Sequence, residues 1–184
     1  MELDLAKRII IMSIKRLVKF DDDIFKQKMP SLTKATEKER VLNRELHETT
    51  LNHRLAVYIE QVLKLKKVTG YHVDIEYNRN FSNPKFVNLG EVRIPVRPDI
   101  LVHKRMDKTP DAHLFVIEAK KHITSSHDIN KIKGFLTDPE YLYKYGLTIS
   151  YAYNPRQVSA RLYFTKGDTI QEHAINVNRM TKIK

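Results

Sequence analysis

Apolar residues recur every three or four positions at the start of the chain, which predicts an amphipathic helix over residues 3–20. At 100° per residue, its apolar face collects Leu3, Ile10, Ile14, Leu17 and Val18. Its basic face collects Arg8, Lys15 and Lys19. Such a helix fits a membrane surface or a row of phosphates, and it equally fits a helix docked on its own domain. The acidic run at 21–23 and the pair Pro30-Ser31 predict the end of the helix and a loop.

A second, longer helix is predicted over residues 38–67. Its apolar stripe consists of Leu51, Leu55, Ile59 and Val62. The pair Thr69-Gly70 is typical of a helix end. Rough alternation of apolar and polar residues over 71–79 then predicts a strand, and the Ser, Asn, Pro and Gly residues from 80 to 90 predict a connecting loop.

Two segments rich in β-branched residues, 92–103 and 113–120, predict a pair of strands. The polar stretch 104–112 between them is typical of a hairpin loop. A helix follows, with Ser125 or Ser126 as its N-cap. Its inward-facing residues are predicted to be Ile129, Ile132 and Leu136.

The last third of the chain predicts further strands. Asp138-Pro139 opens a short helical turn that Gly146 closes. Strands are expected at 147–153 and 158–164, joined through Asn154-Pro155, and a last one near 169–177. A strand meander followed by a crossover helix predicts an α/β fold, a mixed sheet flanked by helices.

Charge and composition narrow the range of possible functions. The chain has 184 residues, with 33 Lys and Arg against 22 Asp and Glu, a net charge of +11. This excess keeps a protein soluble, and it also favours a polyanionic partner, with nucleic acid ahead of a membrane. The absence of cysteine excludes a disulfide scaffold, a thiolate zinc site and a cysteine nucleophile. No apolar run approaches the roughly 20 residues that span a bilayer, and Glu2 and Asp4 do not suit a signal peptide. We therefore expect a cytoplasmic protein with no membrane partner.

Two carboxylates and a lysine are placed to meet at one edge of the predicted sheet. Asp99 opens one strand, and Glu118 lies near the end of the next, two positions before Lys120. Because side chains alternate along a strand, Glu118 and Lys120 point to the same side. Antiparallel pairing of the two strands sets Asp99 beside Glu118. Carboxylate oxygens bind hard cations such as Mg²⁺, and a cation held there suits phosphodiester hydrolysis, with the lysine orienting water or balancing phosphate charge.

Pro98-Asp99, followed after 18 residues by Glu118-Ala119-Lys120, resembles the signature of the PD-(D/E)xK nucleases. The resemblance covers residues 40–155. It implies a restriction-endonuclease-like fold, with residues 38–184 as the nuclease domain and residues 1–37 as an N-terminal helical extension. It implies Asp99, Glu118 and the Ala119 carbonyl as metal ligands and Lys120 as the catalytic lysine. Mg²⁺ is the expected cofactor, with Mn²⁺ able to substitute. DNA is preferred to RNA as the substrate, in restriction or phage defence, and a homodimer suits double-strand cutting.

Glu48 is the best match to a further acidic residue that members of this family place on the helix before the first strand. It falls on the same arc of the predicted helix as Leu51 and Leu55. A carboxylate on a buried face needs a partner, and we predict a role in catalysis and metal binding. A salt bridge to Arg44, one turn earlier, is the alternative. The segments 48–60 and 128–133 also resemble a prokaryotic subgroup of these nucleases, and the latter contains Asp128 and Lys131.

Other candidate residues favour structural roles. His103 fits a strand cap better than a phosphate contact, and Tyr141, Tyr143 and Tyr145 fit core packing better than base stacking. No two histidines are spaced i, i+4 and none accompanies a cysteine, which argues against a zinc site, and no phosphate-binding glycine loop is present. The leading hypothesis is a Mg²⁺-dependent nuclease. The alternatives are a non-catalytic nucleic-acid-binding module with the same fold and an interaction subunit that docks through helix 3–20.

Overall fold

The computed structural model describes residues 1–26, 36–80, 82–107, 109, 111–151 and 157–177, with only the backbone at 26 and 37–47. The helices are α1 (Leu3–Phe20), α2 (Asp22–Lys26), α3 (Glu37–Leu65) and α4 (Ser126–Thr137). The first strands are β1 (His72–Ile75), β2 (Arg79–Asn80), β3 (Asn83–Pro84), β4 (Phe86–Leu89) and β5 (Val92–Pro95). The remaining strands are β6 (Ile100–His103), β7 (His113–Lys120), β8 (Tyr145–Ser150), β9 (Ser159–Lys166) and β10 (Thr169–Ile175).

The central sheet has six strands in the order β1-β6-β7-β8-β9-β10. β7 and β8 run parallel, and every other neighbouring pair is antiparallel. The parallel pair is connected through α4, because a parallel connection needs a crossover. The predicted α/β class, with a mixed sheet and helices on it, is confirmed.

Two hydrophobic clusters cover the two faces of the sheet. Alternate residues of β6, such as Ile100 and Val102, join α1 and α3 in one cluster. The intervening Leu101 joins α4 and the β4–β5 hairpin in the other. This division follows from the alternation of side chains along a strand. Within the described part of the chain, no helix is long and apolar enough to cross a membrane.

Helix α1 docks on the body of the protein through its apolar face. Ile10, Ile14 and Leu17 are buried in the same cluster as the stripe of α3, while Leu3 and Val18 are partly buried beside it. Arg8 and Lys19 stay exposed on the other face. The predicted span of 3–20 is confirmed, and α3 ends close to its predicted terminus. The division of the chain into two parts at residue 37 stays a prediction.

The segment from 71 to 103 differs most from its predicted form. β1 ends at Ile75, and residues 80–90, predicted as a loop, contain β3 and the start of a β4–β5 hairpin. The predicted strand 92–103 is split into β5 and β6. Pro95 and Pro98 flank the break, and proline cannot donate a ladder hydrogen bond. The loop at Pro30-Ser31 and the connection at Asn154-Pro155 lie outside the described residues.

Helix α4 begins as predicted. Ser125 is its N-cap, and the Ser125 hydroxyl accepts a hydrogen bond from the Asp128 backbone N–H while the Asp128 carboxylate accepts from the Ser125 N–H. This reciprocal capping box satisfies two amides that the helix leaves free. Ile132 and Leu136 face inward, and Ile129 is partly buried.

Gly146 does not close a helical turn, as the sequence predicted, but lies within β8. A Cβ added there would come within 2.2 Å of the Ile132 Cγ2 on α4. The glycine therefore permits the close approach of α4 to the sheet. We expect Gly146→Ala to destabilise the fold by about 1–3 kcal/mol, the usual cost of overpacking a core.

Urea unfolding of Gly146→Ala checks this expectation. Combining it with Ile132→Ala, which removes the clashing methyl group, should cost less than the sum of the two single changes. Strict additivity would show that the contact between α4 and β8 is not the source of the effect.

Candidate active site

The pairing of β6 with β7 brings Asp99 and Glu118 together. Ile100 is paired with Ile117, so the next positions outward on the two strands are Asp99 and Glu118. The Asp99 Oδ2 accepts a hydrogen bond from the Ala119 backbone N–H at 2.7 Å. The predicted juxtaposition of the two carboxylates is therefore present, and the β7 backbone fixes the orientation of Asp99.

Lys120 lies between two carboxylates. Its Nζ is 3.5 Å from the Asp99 Oδ2 and 3.5 Å from the Glu48 Oε1. Burial acts to lower the pKa of Lys120, but Asp99, Glu48 and Glu118 together raise it above its ordinary value. Lys120 is therefore a fixed ammonium at the centre of the cluster, and it is not a proton acceptor at neutral pH.

Glu48 reaches the site from α3, about 70 residues earlier in the chain. Besides its contact with Lys120, its Oε2 accepts a hydrogen bond from the Lys121 backbone N–H at 3.2 Å. The helix thus aims this carboxylate at the end of β7, where the sequence predicted it. The alternative partner, Arg44, has its side chain outside the described residues.

Glu118 is the most buried acid of the group, with 1% of its surface exposed. The Lys131 Nζ on α4 donates to its Oε2 at 2.6 Å. Its Oε1 is buried and accepts no hydrogen bond from the described residues. Burial, with a smaller contribution from the charge of Asp99, raises the pKa of Glu118 to about 7. Burial likewise raises the pKa of Asp99, against the opposing effect of Lys120.

Lys131 is the site residue to which the sequence assigned no role. Its Nζ contacts Glu118 and lies 3.5 Å from the Asp128 Oδ1. Burial acts to raise the pKa of Asp128, but its hydrogen bonds to the backbone and side chain of Ser125 bring the pKa below the ordinary value. The capping box therefore holds an ionised Asp128 that positions Lys131. The spacing of Asp128 and Lys131 is visible in the sequence. The sequence does not show that Lys131 pairs with Glu118.

The pair of carboxylates fits a divalent cation. Within the described residues, no three His, Asp or Glu side chains form a group that could hold a metal ion by themselves. Mg²⁺, however, is commonly held by one or two carboxylates and keeps several waters. A buried Glu118 oxygen without a partner, close to a second acid, is a position that a cation would stabilise. The Ala119 carbonyl and Glu48 stay predicted ligands.

The core packing predicted for the three tyrosines is confirmed. Tyr141, Tyr143 and Tyr145 are all buried, so their rings are not available to stack on bases. The His103 Nε2 donates a hydrogen bond to the Asp74 Oδ2 at 2.8 Å. Burial lowers the pKa of His103 despite that carboxylate.

Glu48 on α3 and Asp99, directly before β6, thus contact the Lys120 ammonium, while Glu118 on β7 pairs with Lys131 from α4. No protein-family model matches the chain, and none of the curated proteins matches it.

Proposed function

We propose that the protein is a metal-dependent nuclease of the PD-(D/E)xK type, cutting DNA. The observation that carries the proposal is the convergence of Asp99, Glu118 and Lys120 at adjoining ends of β6 and β7. The mixed sheet with a crossover helix is compatible with the restriction-endonuclease-like fold that this proposal includes.

Asp99 and Glu118, with the Ala119 carbonyl and Glu48, would hold Mg²⁺ or Mn²⁺. Bound there, the cation supplies Lewis-acid chemistry for phosphodiester hydrolysis. The Ala119 N–H fixes the Asp99 carboxylate, and Lys131 fixes one oxygen of Glu118. Both acids are thereby held in place before substrate arrives, which reduces the cost of organising the site.

Lys120 contributes a positive charge where the reacting phosphate gains negative charge. Its contacts with Asp99 and Glu48 hold the ammonium on the site side of β7. A preorganised cation in a partly buried site stabilises developing charge more strongly than one in water. The net charge of +11 supports a nucleic acid as substrate, because each neutralised phosphate releases counterions.

Incubation with double-stranded DNA, single-stranded DNA and RNA tests the proposal. We expect DNA cleavage with Mg²⁺ or Mn²⁺, and none with EDTA, with RNA cut more slowly or not at all. Sizing the products separates internal cutting from digestion at ends, and sedimentation shows whether the homodimer proposed for double-strand cutting forms. A protein that cuts no nucleic acid with either metal would refute the proposed activity.

A non-catalytic binding module is the second candidate. One observation favours it: Lys120 and Lys131 already pair with the acids, so the fold needs no metal to balance part of their charge. A module of this kind would bind DNA equally well with EDTA and Mg²⁺ and leave it intact. Metal-dependent cleavage that is lost on changing Lys120 separates the two functions.

A further inference from the structure

A second polar recess lies at the opposite end of β6 and β7 from the carboxylates. Its walls include Tyr77, Arg79, Lys85, His103, Arg105 and His113. Its empty volume, including the open mouth, is about 260 Å³. Much of that volume is open to solvent, so the recess suits a small group rather than a whole nucleoside.

Lys85 is the unusual residue of the recess. It is 2% exposed, and its Nζ lies 5.6 Å from the ring centroid of Tyr77 and 5.1 Å from that of Tyr141. It forms no ion pair with the described residues. Burial lowers the pKa of Lys85 to about 8, so the ammonium form still predominates at neutral pH. Burying an unpaired charge is costly, and aromatic faces offset only part of that cost.

The acidic residues near the recess are already engaged. Asp74 pairs with Arg105, whose Nε donates to it at 2.9 Å, and also accepts from His103. Asp107 lies 3.8 Å from the Nζ of Lys104. These pairs leave the charges of Lys85 and Arg79 uncompensated by any described carboxylate within ion-pair distance.

The two histidines add no positive charge. The His113 Nδ1 donates to the Tyr141 carbonyl at 2.6 Å, and burial lowers the pKa of His113 to about 4. Burial also lowers the pKa of His103. The recess therefore combines two cations that pair with no described carboxylate with walls that are neutral or already ion-paired, which is an environment for a single anion.

We infer that this recess binds a phosphate group, with Lys85 at its floor and Arg79 at its mouth. An oxyanion there would supply the counter-charge that Lys85 lacks, and guanidinium groups match phosphate geometry. His103, at the end of β6, and Asp99, directly before β6, are four positions apart, or about 13 Å along an extended chain. The recess is thus separate from the carboxylate cluster, and the inference does not depend on nuclease activity.

Thermal unfolding in EDTA, with sodium phosphate or sodium chloride at equal ionic strength, tests the inference. Phosphate should raise the wild-type midpoint by several degrees over chloride, because a ligand of the native state stabilises it. Arg79→Ala and Lys85→Met should each lose most of that increment. General salt exclusion by phosphate acts on wild type and variants alike, so the difference between them measures the site.

Two controls distinguish a variant that has lost phosphate binding from a variant that no longer folds correctly. Lys85→Met replaces an unpaired buried charge with an apolar chain of similar length, so we expect it to be no less stable than wild type in chloride. Arg161→Ala removes an exposed arginine on β9 and should respond to phosphate as wild type does. An equal phosphate response in wild type, Arg79→Ala and Lys85→Met would overturn the inference.

Competition between inorganic phosphate and a single-stranded oligonucleotide identifies the kind of molecule whose phosphate group the recess binds. If the group belongs to a nucleic-acid backbone, inorganic phosphate should displace a single-stranded oligonucleotide from wild type, and Arg79→Ala should bind that oligonucleotide several-fold more weakly. If the group is free phosphate or the phosphate of a small molecule, Arg79→Ala should lose phosphate binding and bind the oligonucleotide unchanged.

Discussion

Replacing Lys120 with alanine should reduce DNA cleavage by roughly 10²-fold or more while changing DNA binding only several-fold. The ammonium lies 3.5 Å from Asp99 and from Glu48, so in the proposed reaction it would stand where charge develops on the phosphate. Binding depends on many phosphate contacts, and one charge is a small part of that attraction. Single-turnover cleavage and equilibrium binding, measured on the same DNA, give the change in cleavage rate and the change in affinity.

The matched control for this change is Lys133→Ala. Lys133 is an exposed lysine on α4, so its removal changes the net charge equally without touching the acids. The neighbouring Lys121 is a poor control, because its side chain is buried. Equal cleavage by Lys120→Ala and Lys133→Ala would remove the catalytic role of Lys120.

Glu118→Gln should abolish the stabilisation of the protein by Mg²⁺ or Mn²⁺ together with cleavage. A cation at 100 times its Kd stabilises a wild-type site by about 2.7 kcal/mol, which corresponds to a rise in Tm of roughly 5–10 °C for a chain of this size. The amide keeps the shape of the side chain but not its charge. A thermal shift with metal that survives in Glu118→Gln would locate the metal elsewhere.

In the absence of metal, Glu118→Gln should remove a pH dependence of the free energy of unfolding that wild type shows. Burial raises the folded-state pKa of Glu118 to about 7 from an ordinary value of 4.5. Its contribution to stability is therefore fully present below pH 4.5 and is lost as the pH rises through 7. At about 1.4 kcal/mol per pKa unit, wild type should lose up to about 3 kcal/mol relative to Glu118→Gln between pH 4.5 and pH 8. Urea unfolding in EDTA at both ends of that range measures it.

The local part of the candidate site was predictable from the sequence. Strand β7 and its antiparallel partner β6 follow from short β-branched segments joined by a polar loop, and the pairing alone sets Asp99 beside Glu118. The capping box at Ser125 and Asp128 is equally local. Each of these features depends on residues close in sequence, where periodicity and hydrogen-bonding preferences are decisive.

The split of the predicted strand 92–103 was harder to predict. Its composition favours one long strand, yet β5 leaves the central sheet and pairs with β4. Val87 on β4 is buried and fills the space that a Cβ at Gly134 on α4 would occupy, so the glycine gives the hairpin a place to pack. Whether residues 92–95 extend β6 or pair with β4 depends on the packing of elements that are distant in sequence. Strand propensity alone does not fix which surface a strand covers.

What the sequence by itself determined is the spans of α1, α3 and α4, the α/β class and the meeting of Asp99, Glu118 and Lys120. Glu48 is already expected at the site from the sequence. The tertiary structure alone decided which groups Glu48 contacts, that Lys131 pairs with Glu118, and that no described acid forms an ion pair with the buried Lys85. The physical reason is that these contacts join elements far apart in the chain. Their geometry depends on how helices and hairpins pack on the sheet. No local pattern of residues encodes that packing.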